Sequence, residues 1–187
     1  GGGQLNDWIG HHCDIALWSL GLDHTGPTEI SGAGEFPTEG MFDAPTTYRI
    51  ECRFANGVTM TIANESQLEL GRGTRWFGEN DQWIHVDRGR QSSNPASVWS
   101  EVIGPEEIRV RRGRNHMEDF IQSVRTRRQA IAPAEPAHRA FSIGHLGLVS
   151  MQLGRALKWD PDAEQVTGDN TAQRMLARAP REPWSLT

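Results

Sequence analysis

Two short runs of alternating apolar and polar residues, joined by Asn56-Gly57, constrain the fold of this 187-residue chain more than any other feature. The apolar positions are Tyr48, Ile50, Cys52 and Phe54 before the turn, and Val58, Met60 and Ile62 after it. A period of two is typical of a β-strand with one buried face. Because Asn-Gly favours the tight turn between adjacent strands, these runs predict an antiparallel hairpin.

Patterns on either side of this hairpin place the chain in the α+β class. Further strands are predicted over residues 28–33, 67–70, 74–77, 82–87 and 98–103, with a loop over 88–97. Helices are predicted over residues 7–20, from Asn115, from Pro136 to about Leu157, and from Asp169 to about Ala177. Helices before and after a run of such strands predict an open, mainly antiparallel β-sheet with helices on one face.

The first predicted helix carries the residues best suited to chemistry. Asp7, His11, Asp14 and Trp18 follow one another at intervals of four, three and four residues. On a regular helix these intervals place all four on one face. The apolar positions Ile9, Cys13, Ala16 and Leu20 lie on other faces. We therefore expect the helix to bury one side and to present a histidine between two carboxylates on the other.

A histidine in this setting is suited to proton transfer. Imidazole titrates near neutral pH, so His11 could take a proton from a hydroxyl group and return it. A neighbouring carboxylate orients the ring and stabilises its charged form. Gly10 would leave the surface beside His11 open to a substrate.

Two other interpretations of this helix stay open on spacing alone. An exposed helix surface with ordinary ion pairs has the same pattern of His11 and acidic neighbours. A zinc site built from His11, His12, Asp7 and Asp14 is the weaker alternative, since adjacent histidines point in different directions on a helix. No second cluster of ligands is visible in the sequence, so no metal site is predicted.

Composition argues against several classes of function. The formal net charge is −5, and the arginine-rich stretch 109–114 lies among acidic residues, so we expect no nucleic-acid partner. No apolar run approaches the roughly 20 residues of a membrane-spanning helix. Cys13 and Cys52 have no neighbour at Cys-x-x-Cys spacing and are predicted to be buried free thiols.

The opening segment resembles that of the Gfo/Idh/MocA oxidoreductases. A glycine-rich start, Gly1–Gly3, is followed by Asp-x-x-x-His-x-x-Asp, here Asp7, His11 and Asp14. Further segments resemble the family in the same order: Phe54–Val58, its central hairpin; Asn115–Ile121, its Asn-His-x-x-(Asp/Asn)-Phe helix; and 158–161 with 179–184, the tail of a subgroup rich in bacterial paralogues. The resemblance covers nearly the whole chain, and its first motif is the most specific.

The resemblance implies a role for each polar residue of the first helix. In the family the matching histidine deprotonates a sugar hydroxyl while hydride passes to a nicotinamide, which makes His11 the catalytic candidate and Asp7 its partner. The residues expected to contact the substrate are Asp14, His12, Trp8 and Trp18. The expected substrate is a sugar, polyol or glycoside with a secondary hydroxyl, and the expected cofactor is NAD or NADP.

The resemblance also makes residues 1–187 a single C-terminal domain for substrate binding and oligomerisation. The chain has no Gly-x-Gly-x-x-Gly between a strand and a helix, and no Glu-Lys-Pro, the segment in which the family carries a catalytic lysine. The N-terminal dinucleotide-binding domain is therefore absent from this chain. We predict no cofactor-binding residue here, and the isolated domain is expected to be inactive.

A homo-oligomer is the expected assembly. The family pairs subunits through the open face of its sheet, and Tyr48, Cys52 and Trp76 are expected among the large residues on that face. An apolar sheet face left exposed would otherwise favour aggregation.

Two alternatives to a dehydrogenase stay open. One is a sugar-binding module without redox chemistry, whose helix only holds hydroxyl groups. The other is a lyase or hydrolase that uses bound NAD transiently, oxidising one carbon to loosen a neighbouring bond. The default expectation for location is the cytoplasm, and export is the alternative because proteins of the subgroup that the chain resembles are often exported.

Overall fold

In a computed structural model, which describes residues 1–69, 71–110, 113 and 115–184, the strands form two antiparallel sheets. The strands are β1 Glu29–Glu35, β2 Thr47–Arg53, β3 Thr59–Ala63, β4 Thr74–Phe77, β5 Trp83–Asp87, β6 Arg90–Asn94, β7 Leu157–Asp160 and β8 Gln165–Thr167. The larger sheet has the order β3-β2-β1-β7-β8 and the smaller sheet the order β4-β5-β6. The predicted α+β fold, an open antiparallel sheet with helices on one face, is confirmed.

The helices lie at both ends of the chain. They are α1 Gly3–Trp8, a π-helical turn Ile9–Cys13, α2 Asp14–Ser19, α3 His116–Thr126, α4 Ala134–Leu153 and α5 Asn170–Met175, with 3-10 turns at Glu65–Gln67 and Ala96–Ser100. We call the continuous helix formed by α1, the π-helical turn and α2 the entry helix. The entry helix and α4 pack on one face of the larger sheet and enclose the main core.

The predicted hairpin forms around Asn56-Gly57. Gly57 has a φ of 88°, and the Phe54 N–H donates to the Val58 carbonyl at 2.9 Å. Tyr48 and Cys52 are buried under the helices, so the expectation that they lie on the open face was wrong. Trp76 was also misplaced, because it belongs to the smaller sheet. Alternation fixes which residues share a face, but only packing decides which face is covered.

The open face of the larger sheet is polar. On β2 it carries Arg49, Glu51 and Arg53, and the Arg49 and Glu51 side chains pair at 2.8 Å. Thr61 on β3 donates a hydrogen bond to Glu51 at 2.7 Å. This face therefore exposes charged and hydroxyl groups rather than the apolar residues expected of it.

The entry helix contains a π-helical turn that the sequence analysis missed. Its buried residues Leu5, Ile9, Cys13 and Leu17 are spaced by four. On a regular α-helix, each step of four residues rotates the position by about 40°, so this stripe would turn away from the core. In the π-helical turn the Asp14 N–H reaches back five residues to the Ile9 carbonyl. The wider turn offsets much of the rotation and keeps the stripe buried.

Small residues let α4 approach both of its neighbours closely. A Cβ on Gly144 would overlap Asn6 and Ile9 of the entry helix, and one on Gly147 would overlap Ile50 of β2. The Ser150 hydroxyl accepts a hydrogen bond from the Gly32 N–H of β1 at 2.9 Å. Gly144 and Gly147 of α4 therefore serve close packing.

Four predicted boundaries differ from the structure. The helix predicted to reach Leu157 ends at Leu153, where Gly154 adopts a φ of 62°, and Leu157 begins β7. The predicted loop 88–97 contains β6 and its turn, and the predicted strand 98–103 is partly a 3-10 turn. The predicted strand 67–70 is a turn over its described residues, and Leu70 lies outside them, as do Arg111, Arg112 and Arg114 of the arginine-rich stretch.

The predicted cap of α3 is present. The Asn115 side chain accepts a hydrogen bond from the Glu118 N–H at 3.0 Å. The apolar stripe of this helix is largely exposed in the described chain, with Phe120 at 58% and Met117 at 63%. Exposed apolar stripes of this kind are typical of surfaces that contact another domain or chain.

Candidate active site

The π-helical turn divides the polar residues of the entry helix between two rows. With a spacing of four residues, the exposed row runs from Asp7 through His11 to Ile15, which is 37% exposed. Asp14 and Trp18 belong to the adjacent row, which begins with Asn6 and Gly10. The sequence analysis had placed Asp7, His11, Asp14 and Trp18 on one face, because it assumed a regular period of 3.6 residues.

His11 lies between an aromatic ring and a carboxylate. Its imidazole is exposed, and the ring centroid lies 5.6 Å from that of Trp8 in an edge-to-face arrangement. On its other side, the charge of His11 acts to lower the pKa of the Asp14 carboxyl group. An exposed imidazole with an acid nearby has the arrangement that general acid–base catalysis requires.

Asp14 is the carboxylate of this helix whose environment is most altered. Burial raises its pKa, Asp23 raises it further, and His11 acts in the opposite direction. Asp7, by contrast, is exposed, and among the described residues no hydrogen bond or ion pair joins it to His11. The role of Asp7 as the partner of His11 therefore stays a prediction, and Asp14 is the carboxylate of this helix on which the charge of His11 acts.

The open approach expected beside Gly10 is occupied. A Cβ at this position would lie 3.0 Å from the Phe141 ring of α4, so Gly10 lets that ring pack against the helix. Asn6, one step earlier in the same row, is 4% exposed, and its amide nitrogen lies 3.3 Å from Nδ1 of His145. The row that contains Asp14 therefore faces α4.

Trp8 and His12 lie on the opposite side of the exposed row, toward the smaller sheet. Their ring centroids are 5.0 Å apart. Burial lowers the pKa of His12, although Asp87 opposes this effect. A hydrogen bond of 3.0 Å from the Thr74 hydroxyl to the His12 carbonyl ties β4 to the entry helix.

A cavity of about 610 Å³ opens between the entry helix, the β2–β3 hairpin and the smaller sheet. Small-molecule sites commonly have a volume of this order. The residues that line it include Trp8, His12, Tyr48, Met60, Trp76 and His85. Two of the predicted substrate residues, Trp8 and His12, thus border this cavity. Trp18 does not line it and is 51% exposed.

The sequence analysis missed the arginines of this site. Arg72 precedes β4 and Arg88 lies in the β5–β6 turn, and the guanidinium carbons of both lie within 5.5 Å of the centre of the Trp8 ring. The Gly71-Arg72-Gly73 sequence was a visible signal, since two glycines around one residue indicate a tight backbone turn. His85 of β5 is buried and also lines the cavity.

Both cysteines are buried free thiols, as predicted. Burial raises the pKa of Cys13 to about 12 and also raises that of Cys52, so neither is a reactive thiolate at neutral pH. Among the described residues, no group of three or more His, Cys, Asp or Glu is placed to hold a metal ion. Within the same part of the chain, no helix is both long and apolar enough to cross a membrane.

An open antiparallel sheet, covered on one face by the entry helix and α4, defines the class of the fold as α+β. Residues 1–186 match the model of the Gfo/Idh/MocA oxidoreductase family, C-terminal alpha/beta domain. The chain belongs to this family. No curated protein matches the chain.

Solved structures support the fold. An NAD-binding protein from Listeria innocua matches with a TM-score of 0.52 and 12% identity, over 81% of this chain and 50% of that one. GenD2 of gentamicin A biosynthesis, solved in complex with NAD, matches with a TM-score of 0.51 and 12% identity, over 86% of this chain and 49% of that one. The chain thus spans about half the length of these structures, and the likeness concerns the fold alone.

Proposed function

We propose that this chain is the substrate-binding part of an NAD(P)-dependent oxidoreductase that acts on a secondary hydroxyl of a sugar, polyol or glycoside. One observation carries the proposal. In a chain of this family, the exposed imidazole of His11 lies beside the Trp8 ring, on the helix that also carries Asp14. That arrangement matches the position at which the family's motif carries an acid–base residue.

In the proposed reaction, His11 accepts the proton of the substrate hydroxyl as the carbon that bears it becomes a carbonyl carbon. A bound nicotinamide would accept the hydride that this carbon releases. Asp14 stabilises the imidazolium that forms, because a negative charge nearby favours the charged form of the ring. In the reverse direction, the same imidazolium returns the proton.

No residue of this chain is assigned to the cofactor. The chain has no glycine-rich dinucleotide fingerprint, and the strands of its described part are all paired antiparallel. A Rossmann site needs parallel strands joined by a helix. NAD or NADP would therefore be held by a domain outside this chain, and substrate binding is the part of the activity proposed for this chain.

The partner proposed for this chain, besides the substrate, is a second copy. The open face of the larger sheet is the surface proposed for the contact. Its polar residues suggest an interface of ion pairs and hydrogen bonds rather than an apolar one.

His11→Ala tests the acid–base role. Because the chain spans about half the length of the structures it matches, the assay uses the longest native polypeptide that contains it. We expect turnover with a sugar or polyol substrate to fall by about 10²- to 10⁴-fold, the usual contribution of an acid–base group.

His24→Ala is the matched control, since His24 is also exposed and lies beside an aspartate, Asp23, at 3.9 Å. It should leave turnover near that of the wild type. Unchanged turnover in His11→Ala, or an equal loss in both variants, would remove His11 from the mechanism.

A further inference from the structure

The Trp8 ring lies against two guanidinium groups and two imidazoles. The guanidinium carbons of Arg72 and Arg88 lie 5.5 and 5.1 Å from the ring centre, within the range of a cation–π contact. The centroids of His12 and His11 lie 5.0 and 5.6 Å from it. The smaller sheet brings both arginines to the entry helix, more than 60 residues away along the sequence.

Arg72 is held in place from several directions. It lies between Gly71 and Gly73, which have φ angles of 68° and 124°. The buried His85 ring donates from Nε2 to the Arg72 carbonyl at 3.1 Å. The Asp87 carboxylate accepts hydrogen bonds of 3.1 to 3.3 Å from the guanidinium group and neutralises its charge.

Arg88 carries the charge that is not balanced. Among the described residues, no carboxylate forms an ion pair with its guanidinium group, and Asp87 is already bound to Arg72. The charged and titratable groups that act on His12 are Asp87, His11, Arg72 and Arg88, with no further carboxylate among them. Asp87 and, more weakly, Glu65 act on Arg72. Arg88 is thus the guanidinium group beside the Trp8 ring to which no carboxylate of the described residues is bound.

We propose that this cluster, formed by Trp8, His12, Arg72 and Arg88, binds a carboxylate carried by the substrate. The substrate is then an acidic sugar, such as a uronic or aldonic acid, rather than a neutral one. A carboxylate accepts charge-assisted hydrogen bonds from guanidinium groups. The proposal rests on the proposed function for its placement of the reacting hydroxyl at His11.

The position of the cluster fits this occupant. Trp8 contacts His11, the proposed acid–base, as well as both arginines, so one sugar-sized ligand can reach all of them. Trp8 and His12 also line the 610 Å³ cavity, which offers room for the remainder of a glycoside. Because the Arg72 backbone and guanidinium are already fixed, less conformational freedom is lost when an anion binds.

Calorimetric titration tests the proposal on the longest native polypeptide that contains this chain. Glucuronate and glucose differ at one carbon, so their comparison at constant ionic strength isolates the carboxylate. We expect glucuronate to bind at least roughly tenfold more tightly than glucose, as a charge-assisted hydrogen bond would give. Arg88→Gln should abolish this preference.

Arg90→Gln is the matched control, because Arg90 is an exposed arginine two residues further along the same hairpin. It should keep the preference for glucuronate. Equal binding of the two sugars, or an equal loss of preference in both variants, would overturn the proposal.

Inorganic phosphate and NAD form a further arm of the test. If Arg88→Gln weakens NAD but not glucuronate, the cluster binds a cofactor phosphate and the substrate assignment is wrong.

The titration is separable from the test of the proposed function. Glucuronate binding that depends on Arg88 without any turnover would support the anion subsite and count against the dehydrogenase. Turnover of neutral sugars that depends on His11, without a preference for glucuronate, would support the dehydrogenase and count against the anion subsite.

Discussion

His12 and His145 are the histidines whose environments the fold alters most clearly. The His145 ring contacts the buried Asn6 amide, and burial lowers its pKa. Burial likewise lowers the pKa of His12, beside Trp8. Both side chains are therefore easier to protonate in the unfolded chain than in the folded one, and this difference links stability to pH.

The sign of this linkage gives a prediction. Above about pH 6.5 both histidines are neutral in either state, and their contribution to stability is complete. As the pH falls below this value, the unfolded chain binds protons first, so the free energy of unfolding should decrease until the folded-state pKa values are reached. We expect urea denaturation between about pH 7.5 and 5.5 to show this decrease. His145→Gln and His12→Gln should each make the free energy of unfolding depend less steeply on pH.

His24→Gln provides the comparison for these variants, since His24 is exposed and its side chain lies 3.9 Å from that of Asp23. It should leave this pH dependence unchanged. If the free energy of unfolding of both variants falls with pH as steeply as that of the wild type, other groups cause the pH dependence.

At the scale of elements, the contact between α4 and the entry helix depends on the absence of a side chain at Gly144. Alanine is favoured over glycine in a helix by about 1 kcal/mol. Here, however, a Cβ would overlap Asn6 and Ile9, both of which are buried. Overpacking of a core contact typically costs about 1–3 kcal/mol, so steric overlap should outweigh helix propensity.

We therefore expect Gly144→Ala to lower the free energy of unfolding by about 1–2 kcal/mol, measured by urea denaturation. Ser142→Ala, at a half-buried position of the same helix where the hydroxyl donates to the His138 carbonyl four residues earlier, should leave stability unchanged or raise it slightly. If Gly144→Ala is as stable as Ser142→Ala, then α4 and the entry helix do not pack as closely as described.

At the scale of the whole molecule, the proposed division of labour predicts how cofactors affect stability. A ligand that binds only the folded state raises the melting temperature. NAD and NADP should therefore raise the melting temperature of the longest native polypeptide that contains this chain, and leave that of residues 1–187 alone unchanged. Differential scanning fluorimetry measures both. Stabilisation of residues 1–187 alone would reveal a cofactor site in this chain and contradict the proposed architecture.

The polar open face makes a prediction about assembly. If two copies pair through it, light scattering at micromolar concentration should report a dimer or larger oligomer that dissociates as salt is added, because salt screens exposed ion pairs. Arg49→Glu, in the middle of that face, should favour the monomer. Arg174→Glu, on α5, makes the same charge change outside the face and should not. A monomer at low salt would contradict the proposed partner.

Much of the fold was readable from local patterns. Neighbouring residues predicted the β2–β3 hairpin, the Asn115 cap and the bounds of β4. Alternation, turn propensity and capping all act within a few positions of the chain. The family motif likewise identified the entry helix as the place to look for chemistry. Local patterns did not reveal the face of the sheet that is covered, since the period of two is the same for either face.

The tertiary structure decided the features that depend on residues far apart in the sequence. β7 pairs with β1 across more than 120 positions, and the alternation of Leu157–Asp160 is too short to identify a strand by itself. The π-helical turn arises because the core requires Leu5, Ile9, Cys13 and Leu17 on one side. The sequence by itself thus determined a histidine on an amphipathic entry helix. Only the folded chain brings Arg72 and Arg88 against Trp8, because that contact is made between elements rather than along them.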